Sequence, residues 1–248
     1  MFLMVYPVEG AVAEKSRGRR KRFLPVQKMS VGRGLPFYAV PLPIEKGVPR
    51  WDLVKQAAGG AAPRVVAPCG YGVPEGCGLG GYYPSAFAGR AVMKAALALL
   101  RRNPPAGGGI TVWDEAGTGA ADICRLLPLA GEVRVVTRCP QAYENARRSA
   151  MTEYGATLVF GEGRGRNDVL IHLPTASPGD GKYEILRRGE SAVTACRYCP
   201  PFDGWALPPG TDSLAVAGAV SELCGLGKKA AGRFEQVNSP LMWGTFGE

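Results

Sequence analysis

The chain has 248 residues, 46% of them hydrophobic and 21% charged, a composition that excludes wholesale disorder and is ample for a buried core. No apolar stretch reaches the roughly 20 residues of a membrane-spanning helix, and Met1-Phe2-Leu3-Met4-Val5-Tyr6 lacks the basic start of a secretion signal, so a cytoplasmic protein without a membrane partner is expected. The formal charge is +9, but Lys15, Arg17, Arg19, Arg20, Lys21 and Arg22 share one short segment, and without those six it falls to +3. The positive character is local, which argues against nucleic acid as a general partner.

Residues 2–6, 22–27 and 36–41 are short apolar runs between turn residues and predict short strands. The basic segment lies between the first two and reads as an exposed hairpin tip or mobile loop, where like charges stay hydrated. Its alternative reading is a phosphate or polyanion clamp, for which arginine supplies bidentate donors, although no aromatic stacking pattern accompanies it. Residues 51–58 predict a helix, and residues 64–67 a buried strand stopped by Pro68.

Six glycines then fall between Gly70 and Gly81. That density suits an irregular loop, or alternatively close approach of backbone to a ligand, but no strand-to-helix turn frames it as a phosphate cradle. Tyr71, Tyr82, Tyr83 and Lys94 lie near it in sequence and are candidates for a substrate pocket. Pro84-Ser85 opens a helix running to about Arg102, where Asn103-Pro104-Pro105 ends it, and its alanines predict close packing on a sheet.

From residue 110 the texture becomes regular. Strands are predicted at 110–114, 133–136, 156–160 and 168–171, helices at 120–129 and 141–154, and a fifth strand at 192–195. Such alternation means a parallel sheet with helical crossovers. Residues 212–224 read as a closing amphipathic helix, with Thr211 or Asp212 as cap and Gly225 near its end. Gly117-Thr118-Gly119 falls at the first strand-to-helix turn, where glycine permits the bend, a missing Cβ lets a phosphate approach, and helix N–H groups face the anion.

On these residues the stretch 110–173 resembles the NAD(P)-binding Rossmann superfamily, over about a quarter of the chain. The resemblance implies a mostly parallel sheet with flanking helices. The short linker at 104–109 and the change of texture after it place a domain boundary near residues 83–108, which divides the chain into an N-terminal α+β region (1–83), a connecting helix and linker (84–108) and a Rossmann-like domain (109–248). In the pattern G-x-G-x-x-G the third glycine is Asp122 here. The resemblance also implies cofactor binding by Gly117, Thr118, Gly119, Thr137 and Arg138. The last two stand where an acidic residue holds the ribose of NAD, and a guanidinium there suits a 2′-phosphate, hence NADP.

The reading that follows is a nucleotide-cofactor-binding protein, with an NADP-dependent oxidoreductase acting on a small-molecule substrate as its sharpest form. Asp114 and Glu115 oppose it, since carboxylates beside a phosphate turn repel the ligand unless they point away or hold a metal. An acid before a glycine turn also resembles methyltransferases dependent on S-adenosylmethionine. A third reading, from another class, is a non-catalytic ligand-binding or interaction protein.

His172, the single histidine, ends a predicted strand at the ligand-bearing edge of a parallel sheet and is the candidate for proton transfer, with a structural role as its alternative. The seven cysteines are an odd, dispersed set that reads as reduced thiols. Cys196-Arg197-Tyr198-Cys199 has CxxC spacing but lacks the strand-then-helix setting of a redox pair and two further ligands for zinc, so no metal site is expected.

Overall fold

The structure, a computed structural model, describes residues 2–10, 14–15, 22–31, 34–59, 64–105, 108–161, 169–188, 192–200, 206–225 and 232–236. Its elements begin with β1 (Phe2–Glu9), β2 (Glu14–Lys15), β3 (Arg22–Phe23), β4 (Gln27–Met29), β5 (Phe37–Glu45), β6 (Val48–Pro49), α1 (Trp51–Ala58), β7 (Arg64–Val66) and β8 (Gly80–Gly81). There follow α2 (Ser85–Arg102), β9 (Ile110–Trp113), a 3₁₀ helix (Ile123–Leu129), β10 (Val133–Val136), a second 3₁₀ turn (Pro140–Tyr143) and α3 (Glu144–Tyr154). The chain continues through β11 (Leu158–Phe160), β12 (Val169–His172), β13 (Tyr183–Arg188), β14 (Ala192–Cys199), α4 (Ser213–Leu223) and β15 (Arg233–Gln236). The protein is therefore a mixed α/β chain, and no helix among the described residues is long and apolar enough to cross a membrane.

Two compact units divide it, and the boundary is not the single one near residues 83–108. The first unit takes residues 1–84, 177–181 and 199–232; the second takes 85–176, 182–198 and 233–248. Thus α2 is part of the second unit rather than a connector, and α4 returns to the first unit rather than closing the second. Periodicity identifies an amphipathic helix, but its partner depends on contacts far away in sequence.

In the first unit the sheet order is β4-β5-β1-β7-β8, with β6 pairing on β5. Strands β5, β1, β7 and β8 run parallel, while β4 and β6 are antiparallel to β5. The run Phe2-Leu3-Met4-Val5 is buried throughout because helices cover both faces. Phe2 and Met4 join Phe37, Ala39 and Val66 against Ala215, Val216, Ala219 and Val220 of α4. Leu3 and Val5 join Val40, Leu42 and Val65 against Trp51, Leu53 and Val54 of α1. The basic segment is flanked by the pairing of Lys15 with Arg22 in a two-stranded ribbon; Arg17, Arg19, Arg20 and Lys21 lie outside the described residues.

The second unit has the order β11-β10-β9-β12-β13-β14-β15. Its first four strands are mutually parallel, and β13 and β14 extend the sheet antiparallel. Ile110, Val112, Val133, Val135, Val169 and Ile171 share one face by strand alternation and register, and all are fully buried. The opposite face is mixed: Thr111 is buried, Arg134, Val136 and Leu170 are half-buried, and Trp113 and His172 are exposed.

After β9 the predicted α-helix at 120–129 is instead a turn followed by the 3₁₀ helix. Asp122 N–H donates to the Gly119 carbonyl (3.0 Å) and Arg125 N–H to the Asp122 carbonyl (3.1 Å), both three residues apart. Pro128 inside the segment has no N–H to continue an i−4 ladder.

Candidate functional site

In the order β11-β10-β9-β12 the chain moves outward from β9 and then returns to its other side as β12. In open parallel sheets, ligands bind outside the carboxyl ends at this reversal. The register sets His172 beside Trp113 at the last positions of β12 and β9. Their rings stand edge to face, with centroids 6.4 Å apart. Trp113 remains 37% exposed, so an aromatic face and an imidazole meet solvent together. Trp113 was not among the residues expected at a site; strand pairing alone brings it to His172.

The glycine turn lies at the same edge and is filled by the protein itself. Gly117 has φ +73°, and a Cβ there would stand 2.7 Å from the Ala142 Cβ. One at Gly119 would stand 2.7 Å from Leu173 Cδ1 and 3.1 Å from Met93 Cε. On α2, Gly89 is equally required, since its Cβ would meet Thr118 Oγ1 at 2.1 Å. These glycines admit neighbouring side chains, not an incoming phosphate.

Asp114, 1% exposed, completes the closure. Its Oδ2 accepts the Gly119 N–H at 2.7 Å and the Tyr143 hydroxyl at 2.6 Å, while Oδ1 accepts the Thr118 hydroxyl at 3.2 Å. Burial, and then the hydrogen bond to Asp114, hold the Tyr143 phenol above its ordinary value, so it stays a donor. Tyr143 was missed by sequence reasoning, since its partner lies 29 residues earlier.

Thr137 and Arg138 follow β10. The Thr137 hydroxyl accepts the Cys139 N–H at 3.0 Å, which stiffens its own turn. The Arg138 guanidinium is 82% exposed and lies 3.6 Å from Glu115 Oε1, a surface pair of small energetic weight. The five residues expected to bind a cofactor thus flank one edge, but they do not fit a dinucleotide diphosphate. The Gly119 donor is engaged, the Cβ space is occupied, and a seven-residue 3₁₀ helix takes the place of the α-helix whose N–H groups would face an anion.

The remaining candidates separate. Cys196 and Cys199 are three apart on β14 and so point to opposite faces. Burial pushes the Cys196 thiol up to about 11, which makes it a poor nucleophile. Among the described residues no three His, Cys, Asp or Glu side chains are grouped to hold a metal. The glycine-rich passage is largely loop in the first unit, where the Lys55 side chain lies against Gly78. Tyr82 is hydrogen-bonded to Glu222 and stacked under Arg64, a structural tie between β7 and α4. Tyr71 and Tyr83 fall in that same unit, while Lys94 is exposed on α2 in the other. Comparison of the chain with family models, curated proteins and solved structures finds no match.

Proposed function

We propose that the second unit is a Rossmann-like ligand-binding domain whose site is the carboxyl edge at β9 and β12. The observation that carries this reading is the pairing of Trp113 with His172 at the reversal of a 3-2-1-4 parallel strand order. Trp113 offers a face on which a planar ring stacks, and His172 offers a donor or acceptor beside it. The Glu115–Arg138 pair lies on the adjoining loops and supplies the polar margin that fixes a ligand's orientation.

The test is calorimetric titration of the full chain with adenosine, S-adenosylmethionine, NADH and NADPH, repeated on Trp113→Ala and Arg138→Ala. At least one of the four is expected to bind, and loss of the Trp113 ring to weaken it about tenfold or more, the range of one stacked base. Silence from all four ligands overturns the reading. NADPH binding that depends on Arg138 would instead favour an oxidoreductase in which that guanidinium holds a 2′-phosphate.

A further inference from the structure

We infer that Asp114 is a built-in ligand of the glycine turn, standing in the place of a phosphate, so that the ligand of the second unit is of nucleoside rather than nucleotide class. The inference rests on the binding site just proposed and adds the chemistry that site accepts. A turn of this kind binds an anion because its N–H groups lack partners and its glycines leave room. Here the Gly119 N–H already has a carboxylate acceptor at 2.7 Å, and the Tyr143 and Thr118 hydroxyls converge on the same carboxylate. The space beside Gly117 and Gly119 is taken by Ala142 and Leu173.

A phosphate entering the turn would have to displace Asp114 or lie against it, and two anions sharing one buried donor set repel each other strongly. Asp122, at the third-glycine position, adds a further carboxylate at the start of the 3₁₀ helix, paired with Arg125 at 2.8 Å. What the edge offers instead is Trp113, 37% exposed, whose ring suits a base or another flat ligand and needs no phosphate.

The experiment follows the Gly119 amide by heteronuclear NMR in the full-length protein, with adenosine, inorganic phosphate, ADP and NADPH as probes. In the native protein adenosine is expected to shift resonances of Trp113 and His172 while the Gly119 amide stays in place, and phosphate to shift nothing in the turn. In Asp114→Ala the vacated donors should bind inorganic phosphate, seen as a shift of the Gly119 amide and a Tm that rises with phosphate concentration. Asp114→Asn, which keeps an acceptor and preserves the packing, should show no such gain; it serves as the folded comparison should the alanine variant be too unstable. A shift of the native Gly119 amide by phosphate, ADP or NADPH overturns the inference while leaving the site intact. Absence of any response at Trp113 and His172 to every probe overturns the site itself.

Discussion

The two sheets of this protein are both built on parallel strands, yet they are buried differently. In the first unit Phe2-Leu3-Met4-Val5 sends alternate side chains to two cores, one under α4 and one under α1. In the second, Ile110-Thr111-Val112-Trp113 and Val133-Arg134-Val135-Val136 bury one face completely and leave the other mixed. A two-faced core uses every strand position for stability, whereas a one-faced sheet leaves positions such as Trp113 and His172 exposed.

Each unit also buries one carboxylate among its described residues, Asp212 in the first and Asp114 in the second. Asp212 caps α4, accepting the Ala215 N–H at 3.0 Å and the Ser177 hydroxyl. Asp114 instead closes a glycine turn that no α-helix follows. The same local device thus ends in a helix cap in one case and a sealed turn in the other.

The largest effects that test this comparison are core truncations. Leu3→Ala and Met4→Ala, on opposite faces of β1, should each cost about 2–5 kcal/mol in urea unfolding. In β12, Ile171→Ala should cost about 2–5 kcal/mol but its neighbour Leu170→Ala only about 1 kcal/mol. Equal losses at 170 and 171 would mean that the second sheet is two-faced after all.

The buried carboxylates come next. Asp114→Ala strands a backbone N–H and a buried tyrosine hydroxyl and should cost about 3 kcal/mol, against about 1 kcal/mol for Asp212→Ala, a helix cap. Unfolding midpoints at neutral pH rank the two. The reverse order would show that the sealed turn is not the more demanding arrangement.

The smallest effect is alkaline. The Tyr143 phenol titrates above its ordinary 10.0 in the folded chain, so above that pH the unfolded chain releases a proton the folded one keeps. Stability from this group is complete below pH 10 and is lost as pH rises beyond it, by at most about 1.4 kcal/mol per pH unit. Tyr143→Phe should flatten that part of the alkaline fall; an unchanged slope would mean that burial and Asp114 do not hold the phenol above its ordinary value.

Much of this is legible in the sequence. Strand composition and glycine-proline punctuation located α1, α2, β9, β10, β12 and α4 to within a residue or two, because buried β-branched runs and helix stops act locally. Thr211 or Asp212 was readable as a cap for the same reason, and Asp212 takes that place. The segment after the glycine turn was less so: Ala120 to Leu129 has helical composition, and only the i+3 hydrogen bonds and Pro128 settle it as 3₁₀.

By itself, then, the sequence determined an α/β chain, the places of α1, α2, β9, β10, β12 and α4, and the glycine turn at Gly117-Thr118-Gly119, all consequences of short-range sterics and hydrophobic period. Tertiary structure decided the rest: that α4 packs on β1 from more than 200 residues away, that His172 meets Trp113, and that Asp114 reaches Gly119 and Tyr143. Those outcomes depend on which strands pair and on which groups burial leaves in need of a partner. Local pattern cannot specify either.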